Sequence, residues 1–183
     1  MSKGGRPLKR LILLLGGARS GKSAFAVKLA QGMGERVLFV ATATAEDEEM
    51  KRRIQAHRSA RPRTWRTLEA PSGLAQALAP ELRDAQVVIV DCLTLLASNL
   101  ISPTGDAAKA APHLENEVEL LLQLCRSSAA SFIIVSNEVG MGLVPNYPSG
   151  RLFRDLLGKQ KKVKGRVKTM NIGSHRITVE QLA

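Results

Sequence analysis

LILLLGGARSGKS, residues 11–23, decides the fold. Residues 11–15 are all apolar, as a strand buried on both faces of a parallel sheet must be. They run directly into Gly16-Gly17-Ala18-Arg19-Ser20-Gly21-Lys22-Ser23, which fits G-x-x-x-x-G-K-[ST]. Phe25, Leu29 and Met33 then recur at helical spacing, and Gly32 and Gly34 supply a stop. Strand, glycine-rich turn and helix in that order make a phosphate cradle. Glycines let backbone N–H groups converge on phosphate oxygens, and the helix N-terminus adds partial positive charge. Lys22 is expected to reach the β- and γ-phosphates, and the Ser23 hydroxyl to ligate Mg2+. A turn that merely happens to fit would lack a strand before it and a helix behind it. The chain is read as binding a nucleoside triphosphate.

Further apolar runs of strand length stand at residues 37–42, 87–90 and 132–136. Between them Leu74, Leu78 and Leu82, then Leu114, Val118, Leu121 and Cys125, recur at helical spacing. The alternation predicts an α/β fold with a mostly parallel sheet flanked by helices. No repeat or interdomain linker interrupts it. Residues 102–112, rich in Ala, Pro and Gly, are expected to form a surface loop opening a helix. Asp91 closes the third apolar run. A strand-ending Asp is often a cap or turn residue, but beside a phosphate cradle it is read as the second Mg2+ holder. Residues 136–142, Ser-Asn-Glu-Val-Gly-Met-Gly, follow the fourth run and are expected at the same carboxyl edge, where ligands bind in open α/β sheets. A plain Gly-rich loop is the other reading of them.

The net charge of +11 points towards a polyanion until it is divided along the chain. Residues 11–150 hold 14 basic and 14 acidic groups, so the excess sits at the ends. With 3% aromatic content the chain also lacks stacking platforms for bases, and nucleic acid is not the expected partner. An NTP-dependent nucleic-acid-binding module is the alternative from outside the enzymes. No apolar run reaches the roughly 20 residues of a membrane span. Residues 1–10 are read as a basic disordered leader, not a signal peptide, because the apolar stretch after them is too short and ends in the cradle. Cys92 and Cys125 sit in apolar surroundings without metal-ligand spacing and are read as packing residues of a cytoplasmic protein.

RRIQAHRSARPRTW, residues 52–65, sets His57 among five arginines. Thr44-Ala45-Glu46-Asp47 is a capping pattern with acids filling the first helical turn. Asp47, Glu48 and Glu49 precede Lys51, Arg52 and Arg53 by four residues, the favourable order for helix ion pairs. Arg58, Arg61 and Arg63 have no such local partners, and the helix should end before Pro62. Met50, Ile54 and His57 share one face. Two readings of His57 stand: an inert histidine at the edge of an apolar face, or a neutral imidazole that attacks phosphorus among guanidinium groups.

Taken together these segments resemble the bifunctional adenosylcobinamide kinase/adenosylcobinamide-phosphate guanylyltransferase family of cobalamin biosynthesis. The matching pieces are GGARSGKS (16–23), ATA (41–43), DEEMKRRIQAHRSARPRTWRTLE (47–69), VIVDCLTLLASNL (88–100), NEVGMGLVP (137–145) and RLFRDLLG (151–158). The resemblance implies a P-loop fold of the recombinase-like type over residues 11–158, and a homotrimer. It implies phosphoryl transfer from ATP or GTP to adenosylcobinamide, then GMP transfer from GTP to adenosylcobinamide phosphate through a guanylylated histidine. His57 and Lys22 would be catalytic. Nucleotide contacts would come from Gly16, Gly17, Ala18, Arg19, Ser20, Gly21, Lys22 and Ser23, from Ala41, Thr42 and Ala43, and from Arg58, Arg61, Glu69 and Asp91. A small-molecule kinase without guanylyl transfer is the alternative within enzymes. Leu96 stands where the family commonly has Trp, and Asn146 where an acid is usual. Residues 159–183, KQKKVKGRVKTMNIGSHRITVEQLA, carry six basic groups between Lys159 and Lys168 and a weak strand signal at 176–179. They depart from the family pattern and are expected to be a disordered basic tail.

Overall fold

The computed structural model describes residues 9–45, 47–101, 107–137, 165–172 and 175–182. In chain order the strands are β1 (Leu11–Gly16), β2 (Val37–Ala41), β3 (Arg66–Glu69), β4 (Val87–Asp91), β5 (Ser131–Asn137), β6 (Gly165–Ile172) and β7 (His175–Leu182). The helices are α1 (Lys22–Gln31), α2 (Glu48–Ser59), α3 (Leu74–Leu78), α4 (Leu93–Ile101) and α5 (Ala107–Ser127). One sheet runs in the order β3-β2-β4-β5-β1-β7-β6. The first five strands are all parallel, as the apolar runs predict.

Successive strand residues alternate between two cores, the period-two geometry of a pleated strand. Leu13, Leu15, Leu38, Val40, Val88 and Val90 face α3, α4 and α5, where Leu74, Leu96 and Leu121 meet them. Ile12, Leu14, Phe39, Ile89, Ile133 and Val135 face α1 and its Ala26 and Ala30. Leu96 is fully buried. Both cysteines are free and buried, and burial pushes their thiols up, to about 11 for Cys92 and about 12 for Cys125.

Several expectations need correction. β3 is a four-residue polar edge strand with no apolar run to announce it; it pairs only with β2, Leu38 opposite Arg66 through Ala41 opposite Glu69. Leu74, Leu78 and Leu82 do not share one α-helix. α3 stops at Leu78 and Ala79–Leu82 is a 3-10 turn with Pro80 near its start, where a missing N–H costs little. α5 begins at Ala107, so the expected loop overlaps its first turns, and Pro112 lies inside the helix. Of the leader, Lys9 and Arg10 are tied down: Lys9 Nζ donates to the Arg126 carbonyl at 2.7 Å and Arg10 N to Ser131 Oγ at 3.2 Å. Residues 1–8 lie outside the described residues, as do 138–142 of the loop after β5.

The largest correction is the C-terminal segment. β6 and β7 form an antiparallel hairpin inside the span expected to be disordered, and β7 pairs antiparallel with β1, Leu11 opposite Leu182 through Gly16 opposite Ile177. The weak strand signal at 176–179 lies within β7, while charge density hid β6. β-branched residues at 167, 169, 172, 177, 178 and 179 suit a pleated strand. Moreover, β1 would otherwise leave a wholly apolar strand with an open row of backbone groups.

Candidate functional site

Five parallel strands bring five ends to one edge: Gly16, Ala41, Glu69, Asp91 and Asn137. The register places Ala41 between Glu69 and Asp91. The predicted residues of the phosphate cradle and of both flanking segments are thereby gathered along one line.

The cradle is shaped by left-handed backbone. Gly21, at φ 84°, caps α1, and Arg19 holds φ 58°, a region a non-glycine enters at some cost. Gly17, Ala18 and Arg19 are exposed, whereas Ser20 and Lys22 are buried. Lys22 Nζ donates to the carbonyls of Gly16 at 2.9 Å and Gly17 at 2.5 Å and to Ser20 Oγ at 3.2 Å. Burial lowers its pKa, partly offset by the charges of Cys92 and Asp91. A desolvated ammonium within the loop interacts more strongly with an anion than one in water.

Asp91 is half-buried at the end of β4. Burial raises its pKa, against the nearby Ser23 hydroxyl and the charges of His57, Arg61 and Lys22. The two expected Mg2+ holders are thus neighbours. His57, Arg61 and Lys22 lie close enough for their charge to act on the same carboxylate, although they come from three places in the chain.

α2 carries His57. Asp47, not Thr44, is its cap: the Asp47 carboxylate accepts from Met50 N at 2.7 Å, so the helix begins three residues later than the pattern suggested. The expected i,i+4 pairs give way to other partners. Asp47 is occupied by the cap, Glu48 pairs with Lys51 at 2.6 Å, and Glu49 with Arg19 at 3.6 Å. The helix ends at Ser59, ahead of Pro62 as expected. None of its twelve residues is buried. Met50 and Ile54 are half-buried and His57 on the same face is exposed, at the edge of that apolar pair.

The return from α2 is held at its C-terminal end. Arg58 pairs with Glu69 at 3.9 Å, so it does have an acidic partner, supplied by β3 and not by its own helix. The Arg61 guanidinium sits 3.4 Å from the Phe39 ring centroid, a cation–π contact that pulls it under the helix; burial lowers its pKa. An open cavity of about 460 Å³ lies beside this segment, lined by Gln55, Arg58, Ser59, Arg63 and Trp65 among others. Residues 55, 58 and 59 share a helix face that His57, by its angular position, does not.

Sequence reasoning missed the side chains that hold this edge together. The hydroxyl of fully buried Thr42 donates to Cys92 O at 2.7 Å and accepts from Cys92 N at 2.8 Å. Thr42 N donates to Asp91 O at 3.1 Å and Thr42 O accepts from Asn99 Nδ2 at 2.7 Å. Every polar group of Thr42 therefore has a partner within the chain, while Ala41 and Ala43 beside it are half-buried at the edge. Thr94 Oγ1 accepts from Asn137 N at 2.7 Å and lies 3.3 Å from Ser136 Oγ. Small polar residues in an apolar helix such as α4 are the only signal, and spacing alone does not say what they bond.

A family model described as cobinamide kinase/cobinamide phosphate guanyltransferase matches residues 12–170, past Gly158 and into β6. The bifunctional adenosylcobalamin biosynthesis protein CobP of Pseudomonas aeruginosa is 44% identical over 80% of this chain and 82% of its own length. Proteins named bifunctional adenosylcobalamin biosynthesis protein CobU, from Salmonella typhimurium and Escherichia coli, are each 36% identical over 81% of this chain and 86% of their own length.

Proposed function

The chain belongs to the cobinamide kinase/cobinamide phosphate guanyltransferase family, and we propose that it performs both reactions at the sheet edge described above. Adenosylcobinamide is first phosphorylated by ATP or GTP, and the product then receives GMP from GTP. The observation that carries this reading is that the Gly16–Ser23 loop, Asp91 and the segment bearing His57 all lie at one carboxyl edge of the parallel sheet in a chain of this family.

For phosphoryl transfer the chain supplies positioning and positive charge. Backbone N–H groups of the Gly16–Ser23 loop and the N-terminus of α1 would receive the phosphates, and Lys22 would neutralise charge on the transferring group. Ser23 and Asp91 fit a magnesium ion. Magnesium needs few protein oxygens, which suits a neighbouring hydroxyl and carboxylate. Held by Ser23 and Asp91, the ion would supply positive charge that neutralises the transferring phosphate.

For guanylyl transfer an imidazole nitrogen of His57 attacks the α-phosphorus of GTP. A nitrogen–phosphorus bond forms, the bond to the bridging oxygen breaks, and pyrophosphate leaves. A phosphate oxygen of adenosylcobinamide phosphate then attacks the same phosphorus and frees the imidazole. Exposure of His57 supports the assignment, since the nucleophile has to meet two substrates in turn. Arg58, Arg61 and Glu69 frame that approach, with the main chain of Ala41, Thr42 and Ala43 beneath it.

Three copies are the expected assembly, checked by sedimentation, and the cytoplasm is the expected compartment. Among the described residues no helix is long and apolar enough to cross a membrane. Intact mass after incubation with GTP tests the central claim. Wild type should gain one GMP and His57→Ala none, with phosphoryl transfer retained in both. An unmodified wild type that still makes the GDP product would overturn the covalent route.

A further inference from the structure

α2 is joined to the sheet by two stems, one leaving β2 after Ala41 and one returning to β3 at Arg66. Because no residue of the helix is buried, its own packing does little to fix where His57 stands. Its lateral contacts are exposed ion pairs, Glu49 with Arg19 and Arg58 with Glu69, and such pairs are weak. The position of His57 therefore depends on how the stems are anchored.

One side chain ties the outgoing stem to the chain that leaves β3. Asn99, half-buried on α4, donates from Nδ2 to the carbonyl of Thr42 at 2.7 Å and to the carbonyl of Pro71 at 3.0 Å. Its Oδ1 receives the hydroxyl of Thr44 at 3.3 Å. Thr42 and Thr44 belong to the outgoing stem. Pro71 lies two residues past the end of β3, at the same sheet edge as that stem, where Ala70 N donates to Ala41 O at 2.8 Å. A carboxamide is the side chain for this task, since it offers two donors and an acceptor in one plane.

We propose that Asn99 is a positioning residue for guanylyl transfer, setting the stance of α2 and thus of His57 over the cradle. Its side-chain bonds are all to the chain itself, and it acts through the outgoing stem. The inference rests on the reading of His57 as the guanylylated group. It separates the two reactions: Lys22, Ser23 and Asp91 sit on α1 and β4, outside the excursion that Asn99 fastens.

The full-length chain carrying Asn99→Ala tests this, with three readouts. GMP loading of His57 at saturating GTP, followed by intact mass, should slow by about a hundredfold, the scale of a 1 Å misplacement, while the KM for GTP changes far less. Phosphoryl transfer to adenosylcobinamide should fall far less than loading, because Lys22 and its loop are held by bonds to Gly16, Gly17 and Ser20 that do not involve Asn99. Acrylamide quenching of Trp65, the sole tryptophan and part of the returning stem, should increase. Asn99→Ser, which keeps one donor, should fall between the two in loading, and serves if Asn99→Ala melts below the assay temperature. Equal losses in both reactions, or normal loading with unchanged quenching, would overturn the proposal. His57→Ala separates it from the reading beneath it. That variant takes no GMP yet should quench like wild type, so a wild type that never loads refutes the role of His57 while the quenching comparison still judges the clamp.

Discussion

Thr42 and Cys92 exchange two hydrogen bonds, the threonine hydroxyl serving both the N–H and the carbonyl of Cys92 at 2.8 and 2.7 Å. β2 and β4 are locked together where they end, one residue from Asp91. The strand pairing itself stops at Ala41 and Asp91, so the side chain continues the ladder beyond the last backbone pair.

Replacing Thr42 by Val keeps the shape and removes both partners. The Cys92 N–H would then be left unpaired in the interior, while its carbonyl keeps the bond from Leu96 N at 3.2 Å, at a cost of about 1–3 kcal/mol in unfolding free energy. Thr42→Ser retains the hydroxyl and should lose less than about 1 kcal/mol. Urea denaturation followed by circular dichroism measures both; equal midpoints for wild type and Thr42→Val would show that the bonds carry no net stability.

Asp91 predicts a pH dependence whose sign follows from its raised pKa. Folded, the carboxyl holds its proton more tightly than in the unfolded chain, where its ordinary value is 3.8. Its contribution to stability is therefore fully present below that value and is lost as the pH rises through the elevated one. Asp91→Asn removes the buried charge. The variant should melt higher than wild type at pH 7, and the advantage should shrink as the pH falls towards 4. Phosphoryl transfer should drop by a factor of at least about 100, the usual scale for removing a group that organises transferring charge. A melting difference that grew on acidification would contradict the sign.

How much of this was legible in advance depends on which force dictates each part. Residues 11–15, 37–41, 87–90 and 132–136 are buried on both faces, so hydrophobicity alone marks them, and the cradle is marked by glycines at fixed spacing. β3 could not be seen that way. Its residues Arg66 and Thr67 are exposed and its strand character comes only from pairing with β2. β6 was concealed by lysines that say nothing about backbone pairing. Asp47 as cap was one choice among several acids, and only geometry picks it. Asn99, the residue that fastens the site, sits among apolar neighbours in α4 and shows its role only when loops distant in sequence meet it.

Lys22 sets function against stability. Its ammonium is buried deeply enough to lower its pKa, which means the folded state disfavours the charge. Lys22→Met keeps the length of the chain and discards that charge. The variant should melt no lower than wild type at pH 7, while phosphoryl transfer falls by at least about a hundredfold. Differential scanning calorimetry beside a kinase assay decides it; a clear loss of melting temperature would mean that the bonds to the Gly16 and Gly17 carbonyls outweigh the desolvation.

Asp47 governs the helix that presents His57. A helix of this length has marginal stability unless its apolar face is packed, and no residue of α2 is buried. Local terms therefore decide its population, and the strongest is the bond from Met50 N to the Asp47 carboxylate at 2.7 Å. Asp47→Ala removes about 1 kcal/mol from the first turn. Global unfolding should move by less than about 0.5 kcal/mol, since nothing in the core depends on the cap. Amide exchange in the first turns of α2 should quicken about fivefold, and GMP loading of His57 should slow with it while phosphoryl transfer holds. Asp47→Ser, which restores an acceptor, should return both towards wild type. Faster exchange throughout the sheet would show instead that α2 is fastened to the core more firmly than its exposure indicates.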